Sequence, residues 1–297
     1  MEISLTDLSS GRFKFATMNF KNIFVCTAVF FCIHISHAQK LTIGTYNIRY
    51  DNPKDTGNLW VNRAPVVDAL IRFHNFDILG TQEGYKNQLD DIINALPQYS
   101  RYGVGRNDGK DKGEHSAIFY KKDEFNLLNK GDFWLSENTD KPGLGWDATC
   151  CNRLCSWIYL QHKKSKKKFY FFNAHYDHQG VLARKESSKL ILQKIKEIAG
   201  KEPVIFTGDL NGSHSSEPYQ IIITSNILKD TYKEVKYPYA NNASHNAFGA
   251  HKNRTDIIDH IFITNHFTAS RWGVLTDTYH GKFPSDHFPV LADVTLK

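Results

Sequence analysis

The chain has 297 residues, of which 41% are hydrophobic and 23% are charged, and its formal net charge is +6. This composition is that of an ordinary globular protein, and residues 41–297 contain neither a low-complexity linker nor a short-period repeat. The charge is compatible with a polyanionic substrate but is too small to identify one.

Residues 1–38 have the pattern of a signal peptide. Lys21 precedes an apolar run from Ile23 to Ile35, and Ser36-His37-Ala38 supplies a small-x-small cleavage site before Gln39. The run is shorter than the roughly 20 residues that a spanning helix needs, although a membrane anchor or a buried helix is the alternative interpretation. We therefore predict export, to the periplasm or out of the cell.

The mature chain predicted by this pattern, residues 39–297, is expected to form one domain. Met18 is an alternative start, in which case residues 1–17 are an upstream extension.

Three cysteines belong to the predicted mature chain: Cys150, Cys151 and Cys155. In an exported protein Cys155 can bridge to one neighbour. The alternative is a set of buried thiols, and the sequence does not decide between the two. No Cys-x-x-Cys pair is present, which argues against a structural zinc site of the cysteine type.

Short apolar segments predict buried β-strands along the chain. In order they are Leu41–Tyr46, Phe76–Leu79, Ala117–Tyr120, Trp157–Leu160, Phe169–Phe172, Val204–Phe206, Ile257–Ile263 and Phe288–Val294. Apolar stripes at helical spacing lie between some of them and predict helices around Val66–Ile71, Leu89–Leu96 and Leu190–Ile198.

The connections between these segments indicate the class of fold. Lys163–Lys168 joins two strands and is most simply a solvated hairpin turn, with phosphate binding as the alternative. Because tight hairpins occur beside helical crossovers, we predict an α/β sandwich with mixed sheets rather than a purely parallel sheet.

Polar side chains stand at the ends of the predicted strands. Four of them follow a strand, namely Asn47, Glu83, His175 and Asp209, whereas Asp259 and Asp286 stand at or near the start of one. If the last two strands run antiparallel to the others, all six side chains meet at one rim. We predict this convergence.

These residue types fit the cleavage of a phosphoester by water. Oxygen ligands suit Mg²⁺ or Mn²⁺, so Glu83 is the predicted metal ligand, supported by Asn47 and Asp286. In Thr207-Gly208-Asp209-Leu210-Asn211 an acid and an amide stand two residues apart. Asp209 and Asn211 can therefore position a water molecule and the phosphate.

The remaining roles fall to histidines and one arginine. His287 is the predicted base, with Asp259 fixing its tautomer. His175 is predicted to donate a hydrogen bond to a non-bridging phosphoryl oxygen. Arg153 is a candidate contact for the substrate phosphate, with a structural ion pair as the alternative.

Eight fragments resemble, in the same order, the motifs of the endonuclease/exonuclease/phosphatase superfamily. They are Thr45–Arg49, Gly80–Glu83, Gly113–Ile118, Cys151–Trp157, Asn173–His178, Thr207–Asn211, Ile258–Ile261 and Ser285–His287. The resemblance covers essentially all of residues 39–297. The fragment around His175 is similar to that of the sphingomyelinase and CCR4-type deadenylase branches, although Ala174 stands where many relatives carry threonine.

The resemblance implies a DNase I-like catalytic domain over residues 39–297. Its expected architecture is a four-layer α/β sandwich of two mixed β-sheets flanked by helices. It also implies Mg²⁺ or Mn²⁺ at the rim and the same residue roles that the chemistry assigns.

We therefore predict an exported, Mg²⁺- or Mn²⁺-dependent enzyme that hydrolyses phosphodiester or phosphomonoester bonds, with nuclease-type activity first. A sphingomyelinase-like phospholipase and a sugar- or inositol-phosphate phosphatase are the alternatives. The expected substrate is a nucleic acid, a phospholipid headgroup or a phosphosugar. A monomer without a stable protein partner is expected.

Two other classes fit the sequence less well. Ala174–Gly180 also resembles part of the His-x-His-x-Asp-His zinc motif of metallo-β-lactamases, but Asn173 replaces the first histidine. An inert binding module of the same fold would be expected to lose its metal-binding acids, yet Glu83, Asp209 and Asp286 are all present.

Overall fold

The structure is a computed structural model that describes residues 39–251 and 253–297. The predicted signal peptide and both candidate start residues lie outside the described residues. Within the described ranges, no helix is both long enough and apolar enough to cross a bilayer.

Strands and helices alternate along most of the chain. The strands are β1 (Gln39–Asn47), β2 (Ile78–Gln82), β3 (Tyr99–Tyr102), β4 (Ile118–Lys121), β5 (Phe125–Trp134), β6 (Leu154–His162), β7 (Lys168–His175), β8 (Val204–Asp209), β9 (Lys229–Asp230), β10 (Asp259–Ile263), β11 (Phe267–Val274) and β12 (Val290–Leu296). The helices are α1 (Trp60–His74), α2 (Lys86–Ala95), α3 (Val181–Ala199), α4 (Glu217–Ile223) and α5 (Thr231–Glu234), with a 3-10 turn at Ala247–Gly249.

The strands form two six-stranded sheets. One sheet has the order β11-β12-β1-β2-β4-β3, and the other has the order β5-β6-β7-β8-β10-β9. β1 and β2 are parallel, as are β7 and β8, whereas the other pairs are antiparallel. The predicted sandwich of mixed sheets is therefore confirmed.

Apolar side chains hold four layers together. The central core between the sheets includes Ile43, Ile78, Phe169 and Ile205, all fully buried. A second cluster packs α1 and α2 onto the first sheet, and a third packs α3 and α4 onto the other sheet. Each sheet thus buries one face against its partner and the other against helices.

A polar network crosses the central core around Asn173 on β7. Its Nδ2 donates to the carbonyl oxygens of Thr81 (2.8 Å) and Ala117 (3.0 Å). Its Oδ1 accepts from Gln82 Nε2 (2.8 Å) and Thr207 Oγ1 (3.0 Å). Both donors and both lone pairs of this buried amide are used, so the network fixes how one sheet sits on the other.

The predicted elements are all present, with shifts only at their ends. The three predicted helices correspond to α1, α2 and α3. The predicted turn Lys163–Lys168 connects β6 to β7, and its last residue, Lys168, already belongs to β7. The sequence missed β3, β5, β9 and β11. β5 is an edge strand whose Leu127 and Leu128 are both exposed beside a register shift, so it lacks the alternation that marks a half-buried strand.

The cysteine pairing matches neither expectation in full, because only Cys155 is a buried thiol. Cys155 is a free thiol buried on β6, whereas Cys150 and Cys151 form a disulfide with each other. The predicted bridge from Cys155 is wrong, because its side chain packs into the core with Phe172 and Ala174.

We predict that Asn173→Ala lowers the free energy of unfolding by roughly 3 kcal/mol or more, because it leaves several buried polar groups without a partner. Urea denaturation measures the loss. Asn126→Ala is the matched control, since Asn126 is exposed on β5 and its replacement should change stability by less than about 0.5 kcal/mol. Equal midpoints for the two variants would contradict the proposed constraint.

Candidate active site

Strand ends of both sheets meet at one rim. His175 ends β7 and is paired in register with Asp209 at the end of β8, and Asp259 opens β10 opposite Asp209. β10 runs antiparallel to β8, and β12 runs antiparallel to β1, as the predicted convergence requires.

One amide links the acids that the two sheets supply. Asn47 Nδ2 donates to Glu83 Oε1 (3.0 Å) and to Asp209 Oδ2 (3.1 Å). Glu83 directly follows β2 in a left-handed conformation with φ 65°, a conformation that costs energy for a residue with a side chain. Asn47 thus connects the predicted metal ligand Glu83 to Asp209, which is predicted to position the water molecule.

Two carboxylates at the rim share a cationic neighbour. Arg49 Nη1 lies 3.9 Å from Glu83 Oε2 and 3.7 Å from Asp286 Oδ2. Burial, together with the charge of Glu83, raises the pKa of Asp286 to about 6. A divalent cation would offset this repulsion, and the oxygen donors of Asn47, Glu83 and Asp286 fit a hard ion.

Asp209 and Asn211 are fixed in relation to each other. Asn211 is left-handed with φ 46°, and its backbone N–H donates to Asp209 Oδ1 (2.8 Å). Its side-chain nitrogen lies 3.1 Å from His175 Nε2. Burial, and then the charge of Asp259, raise the pKa of Asp209 above its usual range. Asp209 can therefore accept a proton near neutral pH.

His287 is buried between two carboxylates. Its Nδ1 donates to Asp259 Oδ2 (2.9 Å), and its Nε2 lies 3.7 Å from Asp209 Oδ2. Burial alone would lower the pKa of His287, but the carboxylates of Asp259 and Asp209 raise it to about 10. Atoms of these three residues also lie close enough together to hold a metal ion. His287 can act as the predicted base only after it has passed on this proton.

His175 has the opposite charge state. Burial, together with the charges of Arg153 and Arg106, holds the pKa of His175 well below its usual range. Since the Asn211 amide donates to Nε2, the ring proton lies on Nδ1, which has no hydrogen-bond partner within the described residues. A neutral histidine with a free N–H suits the predicted contact with a phosphoryl oxygen.

A pocket of about 500 Å³ opens over these residues. Its lining includes Glu83, His175, Asp209, Asn211, Asp286 and His287, along with Arg49, Arg106, Arg153, Tyr50, Tyr85, His178 and His245. Acids therefore line its floor close to three arginines.

Arg153 forms the structural ion pair considered from the sequence, and it also lines the pocket. Its Nε lies 3.5 Å from Asp177 Oδ2, and its Nη2 donates to His178 Nδ1 (2.9 Å). Its Nη1 has no hydrogen-bond partner in the described part of the chain. The ion pair with Asp177 therefore holds the Arg153 side chain in the wall of the pocket.

The sequence missed a second ion pair at the pocket. Arg106 Nη1 donates to Glu114 Oε2, and burial, followed by the charge of Glu83, raises the pKa of Glu114 to about 7. Glu114 lies in the fragment Gly113–Ile118, and the resemblance of that fragment to the family was the only indication in the sequence that Glu114 could belong to the site. Arg106 lies in a loop without a motif, so only the folded chain reveals it.

The metallo-β-lactamase interpretation has no support in this geometry. Asn173, which replaces the first histidine of that motif, is a buried part of the inter-sheet network. His178 clusters at metal-binding distance with Cys150 and Asp177 rather than with His175.

A family model described as the endonuclease/exonuclease/phosphatase family matches residues 44–287. A crystal structure of a protein of that family from Bacteroides thetaiotaomicron is 44% identical, with a TM-score of 0.85 over 88% of this chain and 99% of that chain. A mannosyl-6-phosphatase from the same species is also 44% identical, with a TM-score of 0.83 over 86% of this chain and 99% of that chain.

A more distant relative is the CCR4-Not complex 3'-5'-exoribonuclease subunit Ccr4 of Saccharomyces cerevisiae. It is 24% identical over 78% of this chain and 35% of its own length. The chain spans between 28% and 59% of the lengths of the curated relatives it matches.

We predict that Asp259→Asn lowers the pKa of the His287 imidazolium by roughly one unit or more, because it removes a directly bonded carboxylate. A titration of the metal-free protein followed by histidine NMR measures this value. Asp256→Asn is the control, since Asp256 pairs with Arg254 at the surface and its loss should leave His287 unchanged.

The raised pKa of His287 also makes the free energy of unfolding depend on pH. A raised pKa means that the folded state binds the proton more tightly, so the contribution of His287 is full below about pH 6.5 and is lost as the pH rises toward 10. The decline in unfolding free energy over that range should flatten in Asp259→Asn. An unchanged His287 pKa in this variant would contradict the assigned ion pair.

Proposed function

This chain belongs to the endonuclease/exonuclease/phosphatase family, whose members hydrolyse phosphoesters, and we propose that it removes the phosphate from a phosphorylated sugar with Mg²⁺ or Mn²⁺. The observation that carries the choice of substrate is the group of three arginines that lines the pocket beside the acids of the rim. Arg49, Arg106 and Arg153 all line it.

The charge of the substrate favours a monoester. A phosphomonoester carries a charge of about −1.5 to −2 at neutral pH, more than a diester, and so gains more from several cations. Buried nitrogens of Arg106 (Nε), Arg153 (Nη1) and His175 (Nδ1) lack hydrogen-bond partners among the residues described. All three side chains line the pocket, so the wall that an incoming dianion meets carries these donors.

The size of the pocket and the relatives support a sugar. A volume of about 500 Å³ is in the usual range of small-molecule sites. The mannosyl-6-phosphatase that is 44% identical covers nearly all of the predicted mature chain. On this support we propose a phosphosugar ahead of the nuclease substrate that was predicted first from the sequence.

Nuclease-type cleavage is the second candidate. Tyr50 and Tyr85 line the pocket with ring centroids 5.5 Å apart, and aromatic faces can stack on a nucleic-acid base. The Ccr4 relative is an exoribonuclease subunit.

The proposed mechanism assigns each step to a side chain on the rim. Asn47, Glu83 and Asp286 would hold the divalent cation, which supplies charge neutralisation at the phosphoryl oxygens when bound. Asp209 and Asn211 orient the attacking water, and Asp209 accepts its proton as the new P–O bond forms.

Hydrogen-bond donors stabilise the phosphoryl oxygens and the leaving oxygen. His175 Nδ1–H and Arg153 Nη1 donate to non-bridging oxygens, where negative charge is held in the transition state. His287, held as an imidazolium by Asp259, carries the proton that the departing sugar oxygen takes up as its bond to phosphorus breaks. The final products are inorganic phosphate and the free sugar.

We predict that residues 39–297 release phosphate from a hexose 6-phosphate at least about tenfold faster, by kcat/KM, than from a phosphodiester, a preference of about 1.4 kcal/mol. The panel is mannose 6-phosphate, glucose 6-phosphate, single-stranded DNA, RNA and sphingomyelin, each assayed with Mg²⁺, Mn²⁺ or EDTA. EDTA should abolish activity.

Glu83→Ala should lower kcat/KM by roughly 100-fold or more, because it removes a cation ligand and one partner of Asn47. Glu197→Ala is the matched control, since Glu197 is an exposed acid on α3, and it should retain full activity. Cleavage of DNA or RNA without phosphosugar activity would select the second candidate. Full activity in Glu83→Ala would reject both.

We also propose that the enzyme acts outside the cytoplasm. The support is the basic, apolar and small-residue pattern of residues 1–38, which precedes the first strand. In a fractionated bacterial culture, the protein outside the cytoplasm should begin at Gln39 by N-terminal sequencing. Recovery of the uncleaved chain from the cytoplasm alone would contradict this proposal.

A further inference from the structure

A second cluster of potential metal-binding side chains involves the loop that follows β8, which also carries Asn211. It contains His214 in the loop after β8, Asp230 at the end of β9 and His260 on β10, and one ligand atom from each lies within 4.8 Å of the others. The cluster is separate from the described residues that line the catalytic pocket.

The spacing in this cluster suits a coordinated ion better than a hydrogen bond. His214 Nε2 lies 3.4 Å from Asp230 Oδ2, yet this buried nitrogen forms no hydrogen bond with any described residue. Ligand atoms at about 2.0–2.1 Å from a tetrahedral zinc ion are about 3.3–3.4 Å apart. The observed separation therefore matches one edge of such a tetrahedron.

Outer contacts hold the candidate ligands in place. Asp230 Oδ1 accepts from the backbone N–H of Tyr232 (2.9 Å), and Asp230 Oδ2 accepts from the hydroxyl of Tyr219 (2.7 Å). His260 Nε2 lies 2.9 Å from the carbonyl oxygen of Gly212, which fixes the ring and its tautomer. Carbonyl contacts to histidine and hydrogen bonds to carboxylates are typical supports of metal ligands.

Aromatic rings fix the remaining ligand. The His214 ring stacks on Tyr232 with a centroid distance of 4.6 Å and meets the edge of Tyr219 at 4.9 Å. Its side chain keeps 28% of its surface exposed, so the cluster lies close to solvent. All three candidate ligands are thus preorganised beside solvent.

We propose that His214, Asp230 and His260 bind a Zn²⁺ ion, with water as the fourth ligand. Two imidazoles and one carboxylate suit zinc, whereas Mg²⁺ prefers an all-oxygen set such as that of Asn47, Glu83 and Asp286. This zinc site would have a structural role. The proposal does not depend on which substrate the catalytic pocket binds.

The consequence of this ion is a fixed catalytic loop. The segment 210–216 carries Asn211 at one end and His214 near its middle. Zinc would tie this segment to β9 and β10, and β10 carries Asp259. His214 is therefore a positioning residue for Asn211 rather than a catalytic one.

The test uses purified residues 39–297 loaded with ZnCl₂ and passed through a desalting column, with zinc measured by elemental analysis. Glu83→Ala is the starting protein, because it weakens the oxygen-ligand site. It should retain about one zinc ion per chain. Adding His214→Gln should remove that ion, whereas adding His266→Gln, which alters an exposed histidine elsewhere, should not.

Two further measurements use the wild-type protein, so they do not depend on whether a variant folds. Co²⁺ in place of Zn²⁺ should give the visible absorption of a tetrahedral site, and added Zn²⁺ should bleach it. Removal of zinc by a chelator should lower the Tm in wild type, because the ion binds the folded state. Zinc content that is near zero in Glu83→Ala, or unchanged by His214→Gln, would overturn the proposal, as would a Co²⁺-loaded wild type without tetrahedral absorption.

Discussion

The whole rim depends on the inter-sheet amide network in the central core. The catalytic side chains come from two sheets, so their distances are only as fixed as the contact between those sheets. Apolar packing is not directional, so alone it does not fix the position of one sheet along the other. The four hydrogen bonds of Asn173 have fixed directions and do fix it. A side chain at Gly80 would collide with Thr207 and Asn173 in this network, so the backbones must approach closely here.

At the rim above this network, neighbouring charges shift the pKa values of two histidines in opposite directions. His287 faces the carboxylates of Asp259 and Asp209 and keeps its proton, whereas His175 faces Arg153 and Arg106 and loses it. Both rings are buried, so the difference lies in the sign of their neighbours. The rim therefore holds a proton donor and a neutral donor within one pocket, with Asp209 close to both.

The sequence predicted the fold and the convergence of the candidate site residues because both follow from local patterns. Buried strands are continuous apolar runs, and an acid that directly follows one, such as Asp209, must emerge at its end. Arg106 and Glu114 were given no role because loops set their positions, and no local pattern places an arginine against an acid across a pocket. The charge of His287 was also beyond the sequence, since it depends on distances of a few ångströms to acids that lie far away in the chain.

One consequence follows from where the pocket residues are attached. The reacting groups Asn47, His175, Asp209 and Asp259 stand on strands or at their ends, while wall residues such as Tyr50, Arg106 and His245 lie on connecting segments. The strands thus carry part of the candidate reaction centre, and the connecting segments carry these parts of the wall. Descendants of one ancestor can exchange loops and acquire new substrates without rebuilding the reaction centre, which allows nucleases and sugar phosphatases to share one scaffold.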